Sequence, residues 1–229
     1  MALQHITLSV IIPTLNEEEL LPLLLRELHN RKSAETEIIV ADGGSTDNTL
    51  DLIRDKADQI IHSNPGRAAQ MNAGALCAKG KFLWFLHADS SISFDFEEVI
   101  EAALHEHSWG WFNIQLNHQK IIFRIVESMM NLRSRLTHIA TGDQGVFVRK
   151  DIFTGIGFFP SIEIMEDIVL SKKLKNIGKP FISHAKIKTS VRRWKENGPL
   201  RTILKMWSLR LLFFFGATPS RLKIYYDKR

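Results

Sequence analysis

The hydrophobic pattern opens on a β-branched apolar run, Ile6 to Pro13, that ends in Pro-Thr-Leu-Asn, and Glu17, Glu18 and Glu19 then stand where a leucine-rich helix should begin. Carboxylates suit that positive end of a helix. A second run, Glu37 to Ala41, leads into Asp-Gly-Gly-Ser-Thr-Asp, a glycine turn followed by hydroxyl and carboxylate side chains able to cap the next helix. A short strand near Gln59 to His62 precedes a helix from about Ala68 to Ala78, and Phe82 to Leu86 is an uninterrupted apolar stretch, the pattern of a strand covered on both faces. Strands and helices alternating at this spacing predict an α/β fold with a mostly parallel central sheet, helices on both faces, and ligands beyond the carboxyl ends of the strands.

Past Ser93 the order is less regular. The pattern predicts a helix around Phe96 to His105, a strand through Trp111 to Leu116, a long helix from Gln119 to about Leu136 and a strand at Gly145 to Arg149. A helix from Glu166 to about Asn176 is stopped by Gly178 and Pro180, and a basic amphipathic helix runs from Leu200 to Phe215. No internal repeat or low-complexity linker divides the 229 residues, so a single domain is expected, with an N-terminal half to residue 92, a second half over 93–195 and a C-terminal helical segment over 196–229. The apolar run from Ile203 to Gly216 is broken by Lys205 and Arg210 and falls short of the roughly 18 to 20 residues that span a bilayer. No transmembrane helix and no signal peptide are expected.

Composition narrows the picture a little further. The chain is 45% hydrophobic and 24% charged, enough apolar material for a packed core. Thirty Lys and Arg against 25 Asp and Glu give a formal charge of +5, with many of the cations after Lys172, which favours anionic partners without choosing among them. The single Cys77, set among small residues, reads as a buried structural thiol, and with no disulfide to form it points to the cytosol.

Candidate chemistry gathers at the ends of strands. Asn16-Glu17, Asp42-Gly43-Gly44 and His87-Ala88-Asp89 each follow a predicted strand, and on adjacent strands they would converge on one crevice able to hold a base, a ribose and a metal-bound diphosphate. Taken singly, Asp47, Glu18 and Glu19 read as turn and cap residues. Asp89 would sit at the sheet edge, where a divalent cation can bridge it to phosphate, and the alternative is a loop cap; His87 is equally a turn histidine or a ligand. Arg67, after Gly66 at a helix start, suits an anion, whereas the small residues at 68, 69, 73 and 75 serve close packing. Glu166 and Asp167 open a helix, where an acidic pair is either dipole complement or catalyst; Asp167 is the chosen base, ionised at neutral pH by the helix end, with Glu166 its neighbour. Arg192-Arg193-Trp194 pairs cations with an aromatic, suited to phosphate and ring stacking or to a plain solvated turn. No nucleic-acid-binding motif is present, and the acidic loops would repel a phosphate backbone.

Val10-Ile11-Ile12-Pro13-Thr14-Leu15-Asn16-Glu17, Asp42-Gly43-Gly44-Ser45-Thr46-Asp47, Gly66-Arg67-Ala68-Ala69-Gln70-Met71-Asn72 and Phe85-Leu86-His87-Ala88-Asp89 together resemble the nucleotide-sugar half of family 2 glycosyltransferases, and Gly142-Asp143-Gln144, Met165-Glu166-Asp167 and Arg192-Arg193-Trp194 resemble its acceptor half. The subgroup most similar consists of small bacterial members. This resemblance implies a GT-A fold, inverting transfer from a UDP- or GDP-sugar to an acceptor hydroxyl, and Mg²⁺ or Mn²⁺. It implies that Pro13, Glu17, Asp42, Arg67, Ala88 and Asp89 hold the donor, that Asp89 binds the metal with His87 beside it, and that Asp167 is the base. Arg193 and Trp194 would meet the diphosphate or acceptor end, and Asp143 and Gln144 the acceptor side. The sequence departs from the family in having His87 in the first position of Asp-x-Asp and Ser190 in the first position of Gln-x-x-Arg-Trp.

Other readings stay open beside it. A sugar-phosphate nucleotidyltransferase would use a similar sheet but a glycine-rich loop after the first strand, and here that loop is Thr14-Leu15-Asn16-Glu17. A non-catalytic nucleotide-sugar-binding or membrane-surface module is the third reading, against which the acidic pair Glu166-Asp167 argues. The C-terminal helix, with Lys205 and Arg210 among Leu and Phe, suits an anionic inner membrane face and a lipid-linked acceptor, a buried position closing the domain, or a homodimer interface.

Overall fold

The computed structural model describes residues 5–192 and 198–227. Among them eight strands form one sheet: β1 (Leu8–Thr14), β2 (Thr36–Asp42), β3 (Gln59–His62), β4 (Phe82–Phe85), β5 (Ser90–Ser91), β6 (Trp109–Leu116), β7 (Phe147–Arg149) and β8 (Phe181–Thr189). Their order is β3-β2-β1-β4-β7-β6-β8-β5. The first four run parallel, β7 is antiparallel to both β4 and β6, β8 is parallel to β6, and β5 closes the edge antiparallel to β8. The expected α/β architecture, a mostly parallel sheet with helices against it, is the one observed.

Every residue of β1 and β2 is buried, because both faces of the sheet are covered. Leu8, Val10 and Ile12 point to one side and meet α1 (Leu21–His29) and α4 (Phe96–Glu106). Ile11 and Ile39 point to the other and meet α3 (Arg67–Cys77), α6 (Lys150–Gly155) and α7 (Glu166–Ile177). The period of two in a strand therefore fills two cores at once, which is why these segments read as continuous apolar runs. Gly74 brings α3 tight onto β1, where a Cβ would lie 2.5 Å from Ile11 Cγ2. The remaining helices are α2 (Thr49–Ile53), α5 (Ile121–Thr137), α8 (Pro199–Phe214) and α9 (Pro219–Asp227).

Two expectations need correction. Glu17 to Glu19 precede α1 rather than occupying its first turn, which starts at Leu21 with a proline in place of an acid; Glu17 and Glu18 bond to the neighbouring loop instead. Cys77 is exposed, because Ala68, Met71, Gly74 and Ala75 take the sheet-facing side of α3 and turn its last residue outward. The pattern also missed β8, whose buried positions include Ser183 and Thr189 beside Ile187, so hydrophobicity alone does not mark it. Its pairing with β6 shifts register between Phe112 and Asn113, and the Asn113 side chain donates to Ser183 O at 2.9 Å across that irregularity.

At Gly110 in β6 a Cβ would meet the Phe181 carbonyl oxygen at 2.4 Å and the Phe147 ring at 2.6 Å. Gly110→Ala should lower unfolding free energy by about 1–3 kcal/mol through overpacking. Gly155→Ala, where nothing lies within 4 Å, should be neutral or stabilising by up to about 1 kcal/mol. Urea denaturation of the two variants measures the contrast.

Candidate active site

The crevice starts where β1 and β4 part. β1 pairs with β4 only from Leu8↔Phe82 to Ile11↔Phe85, but with β2 as far as Thr14↔Asp42. Pro13 lies past the last residue paired with β4, where its missing N–H interrupts no bond to that strand. Loops leaving β1, β2 and β4 thus open on one side of the sheet, at the point where the strand order reverses.

The loops after β1 and β2 are tied to each other. Asn16 N–H donates to Ser45 Oγ at 2.9 Å, Thr46 N–H returns to Asn16 Oδ1 at 2.8 Å, and Glu17 N–H donates to Thr49 Oγ1 at 2.9 Å. Asp47 accepts from Thr49 and Glu18, and Glu18 Oε2 accepts from Asn48. The turn role expected of Asp47 and Glu18 is therefore present, whereas neither α1 nor α2 carries a side-chain cap. The Asp47 carboxyl sits below its usual range because the hydrogen bonds from Thr49 and Glu18 outweigh the opposing cost of burial. Asp42, 1% exposed, accepts from Gly44 N at 2.9 Å and from Ser45 Oγ at 2.6 Å, and His62 Nδ1 lies 3.6 Å away. Behind both loops the Gln70 amide donates to Thr14 O at 2.6 Å and Ala41 O at 2.9 Å, pinning the two strand ends to α3. Gln70 lies in a quoted motif, but no role was expected of it, since an amide inside an apolar helix face gives no chemical signal until the strands around it are known.

The opposite wall comes from the second half of the chain. Arg67, at the start of α3, pairs through Nε with Glu166 Oε1 at 2.9 Å, and Glu166 is almost wholly buried at the start of α7. Met165 before it takes a left-handed backbone, φ 71°, which turns the chain so that Glu166 faces Arg67 while Asp167 faces the 3-10 turn Gly142–Gln144. There Gly142 N–H donates to Asp167 Oδ2 at 3.2 Å. Asp143 of the same turn reaches His87 Nδ1 at 3.1 Å, and the imidazole packs so tightly over Gly142 that a Cβ there would lie 2.6 Å from Nε2. Gln144 is fully buried under the turn, accepting from Ser134 Oγ at 2.7 Å and Thr141 N at 2.9 Å. Of the two residues expected on the acceptor side, Asp143 lines the cavity and Gln144 holds the turn that carries it.

The helix end was expected to keep Asp167 ionised at neutral pH. Burial and then the adjacent Glu166 charge push it up to about 6, against the lowering pull of Arg67 and of the Ile168 and Gly142 N–H groups. That value leaves the carboxylate ionised at neutral pH and makes it a stronger base than an ordinary aspartate. Burial works against a charged His87, but the hydrogen bond and charge of Asp143 more than compensate and raise it.

A cavity of about 420 Å³ opens against Asp167. Arg67, Asp143 and Asp167 form one end, and α5, α8 and α9 supply the rest, including Met129, Met206, Trp207 and Tyr226. Arg133 of α5 also lines it, with Nε buried and without a hydrogen-bond partner and its guanidinium held below the usual arginine range by burial, partly offset by Asp167. Sequence reading passed over Arg133, which sits in a helix of mixed apolar and basic residues; only the fold sets it against the cavity.

The other predicted residues are placed as follows. Ala88 is buried in the core and Asp89 is partly buried two residues beyond His87, which feels its charge. Neither lines the cavity; they connect to it through the His87–Asp143 contact. Arg193 and Trp194 lie outside the described residues. Arg192, the last described residue before them, approaches Glu17 of the loop after β1 at 3.5 Å. Among the described residues no group of three or more His, Cys, Asp or Glu side chains is gathered for a metal. The residues fit a cation that is completed by its substrate: Mg²⁺-type ions take one or two carboxylates and fill the remaining positions with phosphate oxygens and water, and Asp89 offers such a carboxylate.

A parallel sheet opening at its reversal point, with acidic and cationic loops facing an appended helical cavity, is the GT-A type of glycosyltransferase architecture. The chain belongs to Glycosyl transferase family 2, whose profile matches residues 9–150. It is 40% identical over 91 residues to a PGL/p-HBAD biosynthesis glycosyltransferase of Mycobacterium tuberculosis, a match covering 37% of this chain and 36% of that protein. The chain thus aligns with little more than a third of this relative's length. Among solved structures it is similar to S. aureus TarS 1-349 in complex with UDP-GlcNAc (TM-score 0.68, 22% identity, 82% of this chain and 59% of that one) and to the mannosyltransferase PcManGT from Pyrobaculum calidifontis in complex with GDP-Man and Mn²⁺ (TM-score 0.67, 17% identity, 90% and 61%).

Since Asp167 binds its proton more tightly in the folded chain than in the unfolded one, it favours folding fully below about pH 4, and that contribution is lost as pH rises through about 6. Asp167→Asn should therefore raise Tm by about 2–6 °C at pH 7.5. The difference should vanish near pH 4; thermal melts across pH give the comparison.

Proposed function

We propose that this glycosyltransferase moves a sugar from a UDP- or GDP-sugar to an acceptor hydroxyl by single displacement with inversion. The observation that carries the reading is the convergence of Asp167, Arg67 and Asp143 on one cavity wall, with the His87–Asp143 contact joining it to Asp89 at the end of β4. Nucleotide-sugar complexes of similarly folded proteins support a donor of this class.

In this reading the Asp167 carboxylate takes the proton of the acceptor hydroxyl as the oxygen forms its bond to the anomeric carbon. The bond from that carbon to the diphosphate oxygen breaks on the opposite side, and the electron pair leaves with the nucleotide diphosphate. Arg67, held by Glu166, faces the developing negative charge, with Arg193 and Trp194 assigned to the same end. A divalent cation, Mg²⁺ or Mn²⁺, held by Asp89 and the diphosphate would neutralise the leaving group. His87, tied through Nδ1 to Asp143, would stand beside that cation. Pro13, Glu17, Asp42 and Ala88 shape the nucleoside end of the crevice, and Asp143 with Gln144 behind it shapes the acceptor end.

Asp167→Asn should reduce transfer by about 10³-fold or more while the Tm rise on adding UDP or GDP with Mn²⁺ is kept. Asp89→Ala should lose the Mn²⁺-dependent part of that rise. In the parent protein log kcat/KM should climb with unit slope below about pH 6 and level off above it. Full transfer by Asp167→Asn, or a product retaining the donor's anomeric configuration by NMR, would overturn the assignment.

A further inference from the structure

Helices α5 and α8 each bury one face and leave an apolar stripe on the other. On α5 the exposed positions are Ile121, Ile125, Met129, Leu132 and Leu136, spaced three and four apart. On α8 the stripe is Leu204, Trp207, Leu211 and Phe214, each more than half exposed, continued by Phe215 and by Ile224 of α9. The inner faces of the same helices are satisfied: Ile203 packs against Val126 and Met130 of α5, and Met206, Leu209 and Phe213 pack toward Ile164, Met165 and Leu222. The outer stripes are therefore surplus to the core. Folded monomers seldom leave so many large apolar side chains together in water unless the surface has an occupant.

The stripes also meet the site. Met129 and Trp207 belong to them and at the same time line the cavity that ends at Asp167, so the apolar surface runs into the cavity mouth. Its charge selects the occupant. The α8 sequence holds Arg201, Lys205 and Arg210 and no carboxylate, and all three line the cavity; Arg221 and Lys223 follow on α9. Large apolar side chains interleaved with cations match an anionic bilayer interface, where the former enter the acyl boundary and the latter lie among phosphates. A symmetric dimer through this face would bring the same cations against one another. Of these helices, α8 and α9 lie beyond the 9–150 stretch that matches the family profile, and α5 lies within it.

We propose that the α5–α8–α9 face docks on an anionic lipid bilayer, setting the cavity mouth at the interface so that the acceptor hydroxyl is drawn from a membrane lipid. The identity of the acceptor rests on the transferase reading; the docking does not.

Flotation of the full chain with phosphatidylcholine vesicles, with and without about 30% phosphatidylglycerol, tests the docking, since each interfacial cation adds about a five-fold preference for the anionic surface. Binding to the anionic vesicles should be at least about ten-fold stronger and should weaken with added NaCl. Leu204→Glu and Leu211→Glu, at exposed positions outside the cavity wall, should each cut vesicle binding about ten-fold or more while leaving Tm and the UDP- or GDP-induced Tm rise unchanged. Equal partition to both vesicle types, unaltered binding by the two variants, or a dimer that Leu211→Glu splits without any vesicle binding would each overturn it. If vesicles bind but no donor is turned over, the transferase reading fails and the docking stands; transfer to a water-soluble acceptor without vesicle binding gives the reverse.

Discussion

The ion pair between Arg67 and Glu166, 2.9 Å across an almost fully buried carboxylate, is the contact on which the site depends. It joins the start of α3, in the nucleotide half, to the start of α7, nearly a hundred residues later in the chain. As a source of stability such a pair is weak, because removing the Glu166 charge from water offsets much of its attraction to the half-exposed Arg67. Its value is in placement and charge. With Glu166 turned to Arg67, the next residue must face the Gly142–Gln144 turn, and the negative charge of Glu166 is one of the two causes that raise Asp167 toward neutrality. One contact thus bears on the orientation of Asp167, on its proton affinity and on the place of a guanidinium beside it.

The other half of the crevice is built from backbone economy. Because β4 ends its pairing with β1 at Phe85, three more residues of β1 continue alongside β2 alone, and the loops from both strands must satisfy their polar groups on each other. Asn16, Ser45, Asp47 and Thr49 do so, and Gln70 caps two carbonyls from behind. Many of the polar residues that look chemical in the sequence are therefore structural. They hold the rim steady so that the few with exposed charge, such as Arg67 and Asp143, keep their positions.

The cavity beyond Asp167 belongs to a different layer of the molecule. Helices α5, α8 and α9 pack on the edge of the sheet through small clusters of their own, and they leave the sheet's central core independent of them.

The sequence by itself determined the alternating elements of the first half, since a strand covered on both faces demands an unbroken apolar run and a glycine turn after it demands a particular set of residues. It likewise singled out Asp42 and Asp89 after those runs and Arg67 and Asp167 at helix starts, while Asp143 was marked only by the family resemblance. It was silent on β8, where Ser183 and Thr189 are buried by pairing rather than by hydrophobicity, and it misjudged Cys77, because which side of α3 faces the sheet depends on Gly74 meeting Ile11. Only the tertiary structure decided that Gln144 lies under its turn, that Arg133 points inward at Asp167, and that Asp167 holds its proton to about 6. Each of these depends on distances between residues far apart in the chain, and burial and charge act through space, where a linear pattern carries no information.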